Sequence, residues 1–226
     1  PGVGTPIPFP MRRVDPMPMV PIVIERGGRE ERAMDIYSRL LQDRIIMLSS
    51  VLDDVTANLI VAQLLVLAHQ DAKAEISLYL NSPGGSLTGT MAVYDTMQFI
   101  GCPVATYCIG MAASGAAILL AGGTKGRRHA LPHSKIMLHQ PHGHVGGQVS
   151  DISIQAAEVL RNKAAVEKVL ARRTGRSVEQ IESEIKRDRY LSAPEALEFG
   201  LIDHIVEDKS EIKDAQVSNP ASASSH

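Results

Sequence analysis

One hydroxyl sits where an apolar run meets a row of small residues: Ser114, in Gly110-Met111-Ala112-Ala113-Ser114-Gly115-Ala116-Ala117. The run before it, PVATYCI (103–109), reads as a buried strand, and 114–121 reads as a helix stopped by Gly122 and Gly123. A serine at a strand-to-helix join lies near amides that have no helical acceptor and in a field that favours negative charge. Those are the surroundings an acyl-transfer nucleophile needs for its oxyanion. A serine there also suits a helix cap, and the stretch alone leaves both readings open. The pattern is not Gly-x-Ser-x-Gly, so it does not carry the nucleophile-elbow motif.

A serine hydroxyl needs a base. His139 closes the strand pattern KIMLHQ (135–140), at the kind of strand end where sites of α/β proteins gather. An orienting acid cannot be found by spacing, because the members of a triad lie far apart in sequence. Asp188, in KRDRY between two helical patterns, is a candidate, with Arg187 and Arg189 placed to keep it charged; a surface carboxylate explains it locally just as well. Ser82-Pro83-Gly84-Gly85-Ser86 is an abrupt turn after the strand pattern EISLYLN (75–81). It lacks the frame and lysine of a phosphate loop. Its glycine pair suits close main-chain approach, with the Gly85 amide available to an oxyanion, or simply a tight turn. Among the other histidines, His129 and His133 flank a loop and read as surface residues. His142 and His144 alternate without a third ligand, so no metal site is expected.

The elements that would hold these groups alternate. A strand is expected over 22–24, a helix over 33–42, a strand over 44–48, a buried helix over 56–70 and a helix over 89–100 between the strands already named. This succession predicts an α/β core with crossover connections. Beyond 140 the pattern changes. The glycine-rich 141–150 reads as an irregular strand, and 151–175 as a long helix capped by Asp151 and stopped by Gly175. Ile152, Ala156, Val159, Leu160, Val166 and Leu170 trace one face of that helix. Ser177 with Gln180, and Ser192 with Glu195, have capping-box spacing, and Gly200 can stop the second of these helices before a late strand in LIDHIVE (201–207).

The 226 residues suit one substantial domain, and 44% apolar residues suffice for a core built without Trp. A net charge of -2 without a basic block gives no support for nucleic-acid binding. Cys102 and Cys108 form neither a disulfide scaffold nor a thiolate metal site, which points to a reducing compartment. No run of eighteen apolar residues is present, so no membrane span is expected. The proline-rich start and the tail VSNPASASSH (217–226) read as flexible.

Several stretches together resemble the ClpP family, the proteolytic component of energy-dependent Clp proteases. They are MVPIVIE (19–25), DIYSRLL (35–41), NLIVAQLL (58–65), LYLNSPGGS (78–86), YDTMQFI (94–100), GMAAS (110–114), Leu131-Pro132, MLHQP (137–141) and RDRYLSAPEALEFGLID (187–203). The resemblance implies a Ser-His-Asp serine endopeptidase, with Ser114 as nucleophile, His139 as base, Asp188 as acid, and the backbone amides of Gly85 and Gly115 as oxyanion donors. It implies a ClpP/crotonase-like α/β head of repeated strand–helix units and a projecting strand–helix handle at 141–174. The implied divisions are an N-terminal arm or propeptide at 1–18, an axial entrance at 19–32, the protease domain at 33–206 and a flexible tail at 207–226. The implied assembly is two stacked heptameric rings around a chamber for unfolded proteins and peptides, served by a hexameric AAA+ unfoldase. ATP would be used by that partner, with no cofactor or metal in this chain, and the implied setting is the bacterial cytoplasm.

The chain departs from the family pattern in two places. Gly115-Ala116 replaces the usual Met-Gly after the nucleophile, and His142-Gly143-His144 replaces Leu-Gly-Gly, which suggests pH-sensitive ring contacts or substrate-channel behaviour. Two other readings fit the sequence: a paralogue weak alone that works in mixed rings, and a crotonase-fold enzyme acting on acyl-CoA thioesters.

Overall fold

In the computed structural model the described residues are 20–27, 30–141 and 146–208. Two compact units are present, one ending at Arg39 and the other starting at Leu40. In the first, strands β1 (Ile22–Gly27) and β2 (Glu30–Asp35) form an antiparallel hairpin. The expected helix over 33–42 therefore starts late, as α1 (Ile36–Gln42), because 33–35 are drawn into pairing with Ile22, Val23 and Ile24. The Asp35 carboxylate accepts from the amides of Tyr37 and Ser38, which ends the strand and opens the helix.

The second unit alternates as the sequence predicts. It runs β3 (Ile45–Leu48), α2 (Asp54–Gln70), β4 (Ile76–Ser82), α3 (Leu87–Phe99), β5 (Val104–Ala113), α4 (Gly115–Ala121), β6 (Arg128–Ala130) and β7 (Lys135–Leu138). It then continues through α5 (Val149–Thr174), α6 (Val178–Ile185), β8 (Arg189–Ser192), α7 (Ala193–Phe199) and β9 (His204–Ile205). Strands β3, β4, β5, β6 and β9 lie side by side in that order, all parallel. Parallel neighbours need crossovers, which the intervening helices supply. Strand β7 pairs with the last part of β5, and β8 runs antiparallel on its other edge. The core is aliphatic: Leu64, Leu78, Leu80, Leu119, Leu120 and Ile136 are fully buried. This is the mixed α/β architecture of repeated strand–helix units that the sequence suggests.

Local chemistry sets the boundaries. Helices α2 and α3 each begin two residues earlier than their apolar periodicity indicates, because Asp53 and Ser86 cap them through the amides of Thr56 and Gly89. Both expected capping boxes form, at Ser177–Gln180 and Ser192–Glu195, and Gly175 and Gly200 end their helices in the left-handed conformation. Asp151 does not cap α5. The helix starts at Val149 after Gln148, which leaves Asp151 in its first turn, where a carboxylate suits the helix dipole. The expected strand over 141–150 is not seen where it is described: residues 146–148 lead as a bend into α5, and 142–145 lie outside the described residues. The face expected along α5 is divided. Val166 and Leu170 are buried, whereas Ile152 and Leu160 are exposed, as is Ile154 beside them, so only the C-terminal half of the helix docks on the core. Among the described residues, no helix is long and apolar enough to cross a membrane.

His129 corrects a sequence expectation. It is no surface residue but part of β6, three residues too short for periodicity to reveal, and is 2% exposed. Its ring belongs to a ladder across four parallel strands. Tyr79 stacks on Tyr107 at 4.5 Å, Tyr107 on His129 at 4.7 Å, and His129 on His204 at 5.4 Å. Beside it Arg128, 1% exposed, is held by both oxygens of Asp203. Burial alone would raise the Asp203 carboxyl, but the bonds from Arg128 and Lys125 hold it at about 2.

Burial, the neighbouring His204 and Arg127 push His129 down to about 4 against the pull of Asp203. The folded protein keeps this ring neutral, while the unfolded chain takes up its proton near 6.5. Between those values the unfolded state binds more protons, so stability rises with pH. Unfolding free energies from denaturant titrations between pH 4 and 6.5 should rise accordingly, by on the order of 3 kcal/mol from this group, and His129→Phe should flatten the rise.

Candidate active site

Strand β7 lies between two others, and its register decides what its end meets. On one edge Met137 pairs with Ala113, the last residue of β5; on the other Leu138 pairs with Arg189, the first residue of β8. The next residue along each chain is then fixed: Ser114 follows Ala113, His139 follows Leu138, and Asp188 precedes Arg189. The Ser114 amide donates to the Met137 carbonyl at 2.9 Å, which extends the ladder one step past the strand. The three residues singled out from sequence thus come together because they flank adjacent ends of three paired strands.

The Ser114 Oγ and His139 Nε2 are 2.8 Å apart. With the imidazole proton on Nδ1, Nε2 accepts from the hydroxyl, the arrangement a base needs in order to take its proton. On the far side of the ring, Nδ1 faces Asp188 Oδ1 at 3.5 Å. That is an ion-pair distance rather than a short hydrogen bond. The ring side chain is 17% exposed and the carboxylate 59%, so the acid end of the row meets solvent. Arg189 does not hold Asp188 as expected. Its guanidinium pairs with Glu184 and lies over the Phe199 ring.

Ser114 is not an ordinary helix cap. It precedes α4 with φ 54° and ψ -121°, a conformation side chains rarely adopt, and its hydroxyl makes no capping bond. The turn turns the hydroxyl away from the helix and leaves it to His139. Gly115, the first residue of α4, has no acceptor one turn back within the helix, so its amide is open to a ligand. As Thr90 stands, a Cβ there would run into its Oγ1, so a larger residue would require Thr90 to shift. Gly84 and Gly85 come alongside with φ 84° and 156°. A Cβ on Gly84 would lie 2.5 Å from the Ala113 carbonyl oxygen and 2.9 Å from Ser114 Cβ, and one on Gly85 would strike the Leu52 carbonyl. The turn therefore lies main chain to main chain against the serine, as an oxyanion site requires.

The pair opens into a cavity of about 610 Å³ lined by Gly84, Gly85, Ser114, Gly115 and His139. Its far wall is apolar, with Ile118, Leu138, Val159, Val166 and Leu170. A carbonyl group beside Ser114 would thus have an apolar recess for an adjoining side chain. Sequence reasoning did not single out Thr90 or the inner face of α5 for this site. The glycine pair was legible as a close approach. What it approaches was not, since Thr90 and Val159 are joined to Ser114 only by folding. His142 and His144 lie outside the described residues.

The sequence model of a family described as Clp protease matches residues 28–209 of this chain, well over half of it.

The clearance around Gly84 makes it a sharp test of the site. Gly84→Ala would force the glycine turn away from Ser114 and require φ 84° of an alanine. Fluorophosphonate labelling of Ser114 in this variant should slow by about 100-fold, as expected for a shift of the order of 1 Å at a reacting centre. Labelling at the parent rate would show that the turn does not set the serine's surroundings.

Proposed function

The chain belongs to the Clp protease family, and on that premise we propose that its peptide-bond hydrolysis is carried by Ser114, His139 and Asp188. The proteolytic subunit of a Clp protease is a serine peptidase, and the observation that supports this assignment is the 2.8 Å contact between Ser114 Oγ and His139 Nε2. As Ser114 Oγ attacks the scissile carbonyl carbon, its proton passes to His139 Nε2. Asp188 steadies the imidazolium through Nδ1. The negative charge on the carbonyl oxygen is met by the amides of Gly85 and Gly115. The C–N bond then breaks, His139 returns the proton to the leaving amine, and an acyl-serine remains. Water, deprotonated by His139, attacks the ester and releases the second product and the serine.

The apolar recess formed by Ile118, Val159, Val166 and Leu170 supports a preference for an apolar residue on the acyl side of the cut bond. Family membership brings with it oligomeric assembly and an AAA+ unfoldase partner. In the finer reading, two heptameric rings enclose a chamber that receives unfolded proteins and peptides, and the hexameric unfoldase spends the ATP. The exposed Ile152, Ile154 and Leu160 on the free half of α5 support its use as a handle between rings. The stretch 19–32 is read as the axial entrance, 33–206 as the protease domain with the handle at 141–174, and 1–18 and 207–226 as flanking segments. Two buried free thiols, Cys102 and Cys108, support a reducing setting, the bacterial cytoplasm. The thioester reading gives way to family membership. Mixed rings with a sibling subunit stay open as a second reading, supported by the looser Asp188 contact at 3.5 Å.

Purified protein treated with a fluorophosphonate should carry the adduct on Ser114 alone by peptide mass spectrometry. Ser114→Ala and His139→Ala should each lower peptide hydrolysis by about 1,000-fold or more. An unlabelled Ser114 in the fully assembled protein, or hydrolysis that persists in Ser114→Ala, would sink the assignment.

A further inference from the structure

The strand that delivers the nucleophile is irregular. Strands β4 and β5 pair evenly from Ile76↔Val104 to Leu80↔Cys108, then resume at Ser82↔Ala112. Between these points Asn81 stands alone against Ile109, Gly110 and Met111. At the same place β5 changes its other neighbour, from β6 over 106–108 to β7 over 111–113. A strand with surplus residues at a change of partner is free to slip, and a slip would move Ser114 along its own axis. Something must fix the register there.

The Asn81 side chain fills that place. Its Oδ1 accepts from the Met111 amide at 3.1 Å. An amide can only donate, so the acceptor must be the carboxamide oxygen. A Cβ on Gly110 would lie 2.6 Å from Oδ1 and 3.0 Å from Cγ. The glycine that begins the GMAAS stretch therefore leaves room for the carboxamide of Asn81. The next residue acts on the other arm of the site. Ser82, fully buried, donates to the Ser50 carbonyl and accepts from the Gly84 amide at 3.1 Å. One dipeptide at the end of β4 thus binds both the strand that ends in Ser114 and the turn that carries Gly85.

We infer that Asn81 is a positioning residue of this peptidase: its carboxamide replaces a missing rung between β4 and β5 and so sets the distance between the Ser114 hydroxyl and the Gly85 amide. This rests on the assignment of Ser114 as nucleophile. Asn81 need not touch the substrate. Misplacing the serine relative to its oxyanion donors slows acylation and leaves the apolar recess intact, so the effect falls on kcat and spares KM.

The test compares Asn81→Ala, Asn81→Asp, Gly110→Ala and the Asn81→Ala/Gly110→Ala pair as full-length assembled proteins. The substrate is a fluorogenic peptide with an apolar residue before the cut. Asn81→Ala should lower kcat by about 10- to 100-fold with KM within about twofold. Asn81→Asp, which keeps an acceptor oxygen, should retain kcat within about threefold. Gly110→Ala should slow the enzyme by pushing the carboxamide aside, and the pair should be no slower than Asn81→Ala alone. Hydrogen exchange over 109–113 should quicken in Asn81→Ala and stay slow in Asn81→Asp.

A parent-like kcat in Asn81→Ala, or equal losses in the alanine and aspartate variants, overturns the inference. Should Asn81→Ala fail to assemble, a parent-like Gly110→Ala overturns it instead. A parent protein that is not labelled at Ser114 refutes the nucleophile assignment, while exchange over 109–113 still decides whether the side chain holds the strand.

Discussion

Everything in the site depends on the pairing of β7 on both edges. One four-residue strand holds the end of β5 with one row of main-chain bonds and the start of β8 with the other. Because strand registers are stepwise, the residues just beyond the paired ends cannot drift independently. The 2.8 Å contact between Ser114 and His139 follows from that ladder more than from any attraction between the two side chains. The strained backbone at Ser114 is held in the same way: its amide is bonded to Met137, and its carbonyl takes the amide of Ala117 in the first turn of α4.

The second constraint is space. The glycine turn approaches Ser114 so closely that no side chain fits at Gly84, while Gly85 is closed off by Leu52 and Gly115 is crowded by Thr90. Each excluded Cβ would meet something different: the Ala113 carbonyl, the Leu52 carbonyl and the Thr90 hydroxyl. Three separate elements therefore meet at the amides proposed as oxyanion donors, which restricts how far they can move. Such preorganisation is what lets hydrogen bonds act on a developing charge without a further reorganisation cost. It also explains how Gly115 can stand where the family pattern has methionine. The backbone freedom glycine adds is removed by the packing of Thr90 and the buried residues that follow in α4.

Much of this was legible in the chain. Period and capping chemistry gave the alternation of strands and helices, and Ser177, Ser192, Gly175 and Gly200 marked helix ends in their own residue types. Family resemblance, rather than spacing, joined Ser114, His139 and Asp188. What stayed hidden was contextual. A three-residue strand such as β6 has no period to read, so His129 passed for a loop residue. The 33–35 segment favours helix locally but is claimed by its hairpin partner. Arg189 stood next to the acid in sequence yet turned to Glu184 and Phe199. The reach of Asn81 across to Met111 depends on a surplus in β5 that only the paired sheet shows.

The arrangement of three strands has a consequence for the chain while it is being made. Asp188 lies far beyond Ser114 in sequence, and among the described residues β8 joins the sheet through β7 alone. A nascent chain that has folded as far as α4 has the glycine turn, but neither β7 to bond the Ser114 amide nor His139 and Asp188 beside it. Chain order therefore defers the site: on the reading of Ser114 as nucleophile, the growing polypeptide lacks the partners of that hydroxyl until β7 and β8 have joined the sheet.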